Sequence, residues 1–245
     1  MKDVIIIGAT SGIAQALARK LAQRGGVRLM LWGRTRAKLE IIAADLRVRT
    51  GATVEADAFD FNDFNAHRAA LDRALALGDW DTAVICHGTL GDQSAGEKDF
   101  TLVEQEFRTN CLSALSFLTL LANYFEKRGT GTLAAISSVA GDRGRQSNYI
   151  YGTTKAALST FLQGLRNRLS SKNVHVLTIK PGFVDTPMTA HLKRGLLFAT
   201  PEKVAQDIIR AIAGKKSVLY TPWFWRWIML AIKMIPETIF RKLRL

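Results

Sequence analysis

Val4-Ile5-Ile6-Ile7-Gly8-Ala9-Thr10-Ser11-Gly12-Ile13-Ala14 stands at the start of the chain, and its reading decides the fold. The unbroken β-branched run Val4-Ile7 suits a strand buried on both faces. The pattern then becomes helical, with Ile13, Ala16, Leu17 and Leu21 on one side and Gly25-Gly26 closing it. Between strand and helix, Gly8 and Gly12 allow a tight turn in which the backbone N–H groups of Thr10, Ser11, Gly12 and Ile13 can approach a pyrophosphate. The helix N-terminus adds donors and a partial positive charge. Ala14 stands where a third glycine often sits and is small enough for close packing. An ordinary strand-to-helix turn is the competing reading, and the flanking strand and helix favour the phosphate cradle.

Working outward, strands are predicted at Arg28-Trp32, Thr53-Phe59, Thr82-Cys86, Thr132-Ser137, His175-Ile179 and Ser217-Tyr220. Helices lie between them, one carrying Leu39, Ile42, Ala43 and Leu46, others at Phe64-Ala76 and Tyr149-Leu169. A helix over Pro201-Ala213 has Thr200 as its N-cap, proline at its first position and Gly214 beyond its end. Alternation of this kind predicts an α/β fold: a single doubly wound parallel sheet in a Rossmann-type three-layer αβα arrangement. Ligands then bind at the carboxyl ends of the strands. Residues 1–221 form the dinucleotide-binding and catalytic domain, and 222–245 a hydrophobic, basic tail.

The chain has 245 residues, of which 48% are hydrophobic and 22% charged, a globular composition. Its 34 Lys+Arg against 21 Asp+Glu give a net charge of +13, which calls for an anionic partner. Nucleic acid is not expected, because the basic residues are dispersed and no recognised nucleic-acid module is present. Cys86 and Cys111 lack metal-type spacing and suit a reduced compartment, and the histidines are scattered, so no metal is expected. The chain enters a strand pattern without a signal-peptide leader, and no run approaches the ~20 apolar residues of a membrane span. A cytoplasmic enzyme, peripheral at the inner face of a membrane if the tail binds there, is the expectation.

Gly33-Arg34 follows the second strand, where an acidic residue would accept from the ribose 2′-OH of NAD. Gly33 leaves space, and Arg34 can pair with a 2′-phosphate, so NADP(H) is preferred to NAD. Asp60 is placed to accept from the adenine amino group, or is a plain surface carboxylate. Tyr151 and Lys155, spaced i, i+4, share a helix face. A tyrosine near its reference pKa of ~10 is a poor acid or base at neutral pH, and a nearby ammonium stabilises the phenolate. A serine ending the preceding strand can hold a substrate carbonyl near Tyr151. Ser137 and Ser138 both qualify, since one faces the site and the other away.

These residues together resemble the short-chain dehydrogenase/reductase family over nearly the whole chain. The likeness rests on Gly8-x-x-x-Gly12-Ile13-Ala14, Asn110, Ile136-Ser137-Ser138, Tyr151-Gly152-Thr153-Thr154-Lys155 and Pro181-Gly182-Phe183-Val184-Asp185-Thr186. It implies a nicotinamide-dependent oxidoreductase with Tyr151 as general acid/base and Lys155 binding the nicotinamide ribose and lowering the tyrosine pKa. Ser138, selected over Ser137, would orient the carbonyl, and Asn110 would support a proton relay. Gly88, Pro181, Gly182 and Thr186 would hold the cofactor, and a homodimer or homotetramer is implied. One departure is Ile85-Cys86-His87-Gly88, where the family has Asn-Asn-Ala-Gly; His87 is read as structural.

Residues 185–200, with Met188, Leu192, Leu196, Leu197 and Phe198, occupy the family's substrate lid and suit an apolar or lipid-linked ketone. The tail places three tryptophans within 223–227, followed by Arg241, Lys242 and Arg244. It suits contact with a membrane surface, the alternative being packing on the protein or across a dimer interface. Residues 141–148, His191-Leu192-Lys193 and Ile235-Leu243 are similar to the decaprenylphosphoryl-2-keto-pentose reductase branch. That likeness implies a polyprenyl-phosphate-linked keto-sugar, with Arg143 and Arg145 approaching its phosphate. A reductase of soluble acyl or small ketones and a non-catalytic NADP-sensing scaffold are the alternatives.

Overall fold

The computed structural model describes residues 1–190 and 192–243, so His191 and Arg244, named above, lie outside the described residues. Seven parallel strands form the central sheet: β1 (Asp3–Ile7), β2 (Arg28–Gly33), β3 (Thr53–Ala58), β4 (Thr82–Ile85), β5 (Gly131–Ile136), β6 (Val174–Pro181) and β9 (Val218–Thr221). Their order is β3-β2-β1-β4-β5-β6-β9. The sheet reverses direction of growth between β1 and β4, the switch point at which such folds bind ligands. A small ribbon, β7 (Phe183–Val184) with β8 (Phe198–Ala199), frames the predicted lid.

The helices follow the strands: α1 (Gly12–Ala22), α2 (Arg36–Thr50), α3 (Phe64–Ala76), the single turn α4 (Gln93–Gly96), α5 (Phe100–Phe107), α6 (Ser113–Arg128), α7 (Tyr149–Leu169), α8 (Pro201–Ala213), α9 (Trp225–Met234) and α10 (Glu237–Phe240). One apolar core packs α1, α2 and α8 on one face of the sheet, through residues such as Leu17, Leu39 and Ile208. The other packs α3, α6 and α7 through Leu71, Phe117 and Leu162. Alternate strand residues feed the two layers: Val4 and Ile6 enter the first, Ile5 and Ile7 the second.

The predicted helix bounds at 64–76, 149–169 and 201–213 coincide with those observed, and strand ends differ by one or two residues. Residues 222–243 are not a detached tail. Trp225 and Met229 of α9 are buried with Val139, and Phe183 and Tyr220 pack against them.

A buried ion pair ties this end of the sheet together. Lys180 of β6 bonds Asp142, whose other oxygen accepts from the Tyr220 hydroxyl at 2.8 Å. The two charged side chains are only 10% and 3% exposed. Removing one partner of such a pair leaves an uncompensated buried charge, at a cost of about 3–5 kcal/mol. Lys180→Ala is therefore expected to lower Tm by roughly 6–20 °C. The double replacement Lys180→Met with Asp142→Leu should recover most of that loss; equal melting of single and double variants would refute the pairing.

Candidate active site

The chemistry-bearing residues converge at the carboxyl ends of β1, β4, β5 and β6. Gly8 adopts φ +83, and a Cβ there would lie 2.6 Å from the backbone nitrogen of His87, so only glycine allows the β1 turn to meet the end of β4. Ser11 caps α1 by accepting from the Ala14 N–H at 3.3 Å, and the Thr10 carbonyl accepts from Gln15 Nε2 at 2.9 Å. A Cβ on Gly12 would sit 3.2 Å from Thr186 Cγ2, which brings the glycine turn against the segment following Pro181-Gly182. Ile13 packs against the core beneath the turn.

At the end of β2, Arg34 is exposed and has no carboxylate partner among the described residues, whereas Arg36 is paired with Glu40 and Asp57. Gly33 also makes room within the fold. A Cβ there would lie 3.0 Å from Leu39 Cδ2, so the missing side chain admits α2 as well as any ligand. Asp60 is exposed and caps its own turn, accepting from the Asn62 N–H at 2.9 Å. The glycine cradle, the first turn of α1 and the free Arg34 guanidinium fit a phosphorylated nicotinamide dinucleotide.

α7 presents Tyr151 and Lys155 one turn apart, the Lys155 ammonium 5.7 Å from the tyrosine ring centre. Lys155 is buried and donates to the Ile136 carbonyl at 3.1 Å. Burial pushes its pKa down to about 8, opposed by the negative charge of Glu106. The Tyr151 phenol is pushed up to about 12 by burial, with the Ser138 hydroxyl pulling it back and Glu106 adding to the rise. The sequence reading expected Lys155 to lower this pKa. Among the protein groups alone, desolvation wins, and the groups that act on the phenol beside it are Ser138 and Glu106, not Lys155.

The two serines separate cleanly. Ser137 turns away from the site, donating to the Lys155 carbonyl at 2.9 Å and bonding Ser159 Oγ at 2.7 Å. Ser138 faces Tyr151, and its Oγ accepts from the Ala140 N–H at 3.1 Å. Asn110 lies in a π-helical turn, Arg108–Leu112, between α5 and α6. Its side chain accepts from the Thr89 N–H at 2.7 Å and donates to the Thr89 carbonyl at 2.9 Å. A Cβ on Gly88 would come within 2.9 Å of Asn110 Oδ1 and 3.2 Å of Lys155 Nζ, so glycine is required for these elements to adjoin.

Glu106 belongs to this cluster and sequence reasoning missed it. It is buried, accepts from Asn110 Nδ2 at 2.5 Å, and sits against Gly91. Burial pushes its pKa up, partly offset by the Gly91 N–H and Asn110. Its position four residues before Asn110 on one helix face was the available signal. His87 is a packing residue: it bonds Ser113 Oγ at 2.7 Å, packs on Phe61, and is held neutral by burial with its pKa pushed down to about 3.

Arg143 does not stand free for a phosphate, contrary to the sequence reading. It donates to the carbonyls of Ile232 at 2.5 Å and Ile235 at 2.6 Å, bonds Glu237 at 2.9 Å, and stacks on Phe240. Carbonyls left unpaired at the end of α9 attract the guanidinium. Arg145 is half-buried, and its Nε has no partner among the described residues. At Gly182 a Cβ would fall inside the indole of Trp225, so the tail forms the wall behind Pro181-Gly182. Thr186, beyond that wall, bonds Thr189 in a short turn of the lid.

Comparison with known proteins places this geometry. A family model described as short chain dehydrogenase matches residues 2–196. An oxidoreductase of Mycobacterium tuberculosis is 36% identical over 241 residues, covering 98% of this chain and 96% of its own. Among solved structures, a short-chain dehydrogenase from Sphingobium yanoikuyae in complex with NADPH superposes with a TM-score of 0.83 at 23% identity, covering 100% and 97% of the two chains. An alcohol dehydrogenase from Thermococcus sibiricus complexed with 5-hydroxy-NADP does so with a TM-score of 0.80 at 23% identity, covering 90% and 95%.

The field of Glu106 on Lys155 is open to a direct test. A carboxylate near an ammonium favours its charged form, so Glu106→Gln should lower the Lys155 pKa from about 8. Titration of the ¹⁵N-labelled lysine side chains by NMR, with Lys155→Met to assign the signal, reads the shift. An unchanged midpoint would contradict the coupling.

Proposed function

This chain belongs to the short-chain dehydrogenase family of oxidoreductases, and from that membership we propose that it reduces a ketone with NADP(H). The observation that carries the reading is the convergence of Ser138 on Tyr151, of Tyr151 with Lys155, and of Lys155 with Asn110 at Gly88. The bound nicotinamide supplies the hydride that goes to the carbonyl carbon. Gly8, Thr10, Ser11, Gly12 and Ile13 would hold the pyrophosphate, Arg34 the 2′-phosphate, Asp60 the adenine, and Gly88, Pro181, Gly182 and Thr186 the nicotinamide end.

Ser138 Oγ donates to the substrate carbonyl oxygen and fixes it beside Tyr151. The Tyr151 hydroxyl, still protonated at neutral pH with a pKa of about 12, donates its proton to the same oxygen as charge develops there. Lys155 compensates the phenolate that remains, which requires its ammonium and hence a pH below about 8. Asn110 holds the loop at Thr89 and Gly88 against that ammonium. Turnover in the direction of reduction therefore falls as pH rises through the Lys155 midpoint.

The proposed substrate is a lipid-linked ketone, with a keto-sugar on a polyprenyl phosphate as its most specific form. Phe198 of the lid stacks on Phe183 at 5.3 Å, and the lid also carries the exposed Met188, Leu196 and Leu197. Apolar lid residues of this kind suit a hydrocarbon-bearing ligand better than a small soluble ketone.

Tyr151→Phe is expected to reduce NADPH-dependent ketone turnover by about 10²–10⁴-fold while NADPH binding, followed by its fluorescence, is retained. Unchanged turnover would remove Tyr151 from the chemistry. Arg34→Glu should weaken NADPH far more than NADH, since it replaces the phosphate partner with an acceptor suited to a free ribose hydroxyl. Equal effects on kcat/KM for the two cofactors would overturn the 2′-phosphate assignment.

A further inference from the structure

α9 is apolar on two opposite faces. Its inner face buries Trp225 and Met229, flanked by Ile228 and Ile232, against Val139, Phe183 and Tyr220. Its outer face should carry polar residues if it met only water. Instead Trp227, Leu230 and Met234, spaced i, i+3 and i+7, form one stripe that is 58%, 47% and 74% exposed. Trp223, just before the helix, is 71% exposed. Arg226 and Lys233, also seven residues apart and exposed, run along one edge of the stripe. Arg241 and Lys242 follow on the exposed surface. From Pro222 to Leu243 the sole acidic residue is Glu237, and Arg143 engages it.

We propose that the outer face of α9, with Trp223 and the Arg226/Lys233 edge, docks this protein on an anionic phospholipid surface. The stripe enters the headgroup and upper acyl region, tryptophans sit at the polar boundary, and the basic edge meets lipid phosphate. The helix lies in the surface, as its ten residues require; no helix among the described residues is long and apolar enough to cross a membrane. Charge decides between lipid and a second copy of this chain. Antiparallel pairing of two copies of α9 about a two-fold axis would lay the basic edge against itself, with no free carboxylate in the segment to neutralise it. An anionic surface satisfies the same edge.

The placement bears on the site. The helix that presents the stripe outward presses Trp225 on Gly182 and Phe183 from within, so the docked surface is about one helix diameter, ~10 Å, from that wall. Docking thus sets the stacked Phe183 and Phe198 near the bilayer boundary. The docking claim does not depend on the ketone reductase reading, because it rests on the outer face alone.

The test is sedimentation of the full chain with vesicles of phosphatidylcholine, with and without phosphatidylglycerol. The parent is expected to sediment with the anionic vesicles at low salt and to be released by high salt. A variant with Trp227, Leu230 and Met234 all replaced by Ser should bind the anionic vesicles at least about tenfold more weakly. Arg226→Gln with Lys233→Gln should erase the preference for phosphatidylglycerol. Thermal melting and NADPH binding of each variant establish that it is folded; the substituted side chains are exposed, so both should match the parent. Failure of the parent to sediment, or equal sedimentation of the triple variant, would overturn the proposal. So would a dimer in ultracentrifugation that the triple variant abolishes without any vesicle binding, which would assign the face to a second copy.

Discussion

A single ammonium buried at the carboxyl edge of a parallel sheet is the constraint on which the rest of this structure turns. Among the described residues the Lys155 ammonium has one hydrogen bond, to the Ile136 carbonyl, and it has almost no contact with solvent. A charge so placed is tolerated only if its surroundings supply compensating dipoles and an opposing charge. The strand end of β5, the glycine at 88 that lets the β4 loop come close, and the carboxylate of Glu106 each answer part of that demand. The price is a pKa near 8, which keeps the ammonium poised where its charge can respond to its surroundings.

Local chemistry that repeats along the chain was legible in the sequence. The β-branched run of β1, the caps at Thr200 and Gly214, and the i, i+4 spacing of Tyr151 and Lys155 are short-range signals, and the αβα architecture follows from their alternation. What depends on contacts between distant segments was not. Ser138 was separable from Ser137 only through the family resemblance, because the bonds that turn Ser137 away, to Lys155 and Ser159, join distant segments. Glu106 became visible once the π-helical turn brought it onto Asn110. Gly33 makes room for Leu39 as well as for a ligand, a contact that its local sequence does not disclose. Arg143 read as a phosphate ligand because nothing in its neighbourhood along the chain names Ile232 or Phe240, some ninety residues away.

The carboxyl-terminal segment shows why hydrophobicity alone left its role open. A helix apolar on two opposite faces has no preferred side until one of them finds the body of the protein. Here Trp225 and Met229 settle that face, Arg143 fastens the end of α9, and Asp142, next to Arg143, is held by Lys180 and Tyr220. The loop that follows Ser138 is thereby joined both to β6 and to the tail. Rigidity at Ser138 is supplied from outside the strand that leads to it.

The fit of Trp225 on Gly182 also reaches beyond this one molecule. Any side chain at 182 would occupy the space of the indole, and any smaller residue at 225 would leave an apolar void behind Pro181-Gly182. Positions 182 and 225 are therefore free to change only together. Within this lineage the pair should appear as a correlated substitution, a record in the genes of a contact that neither position discloses alone.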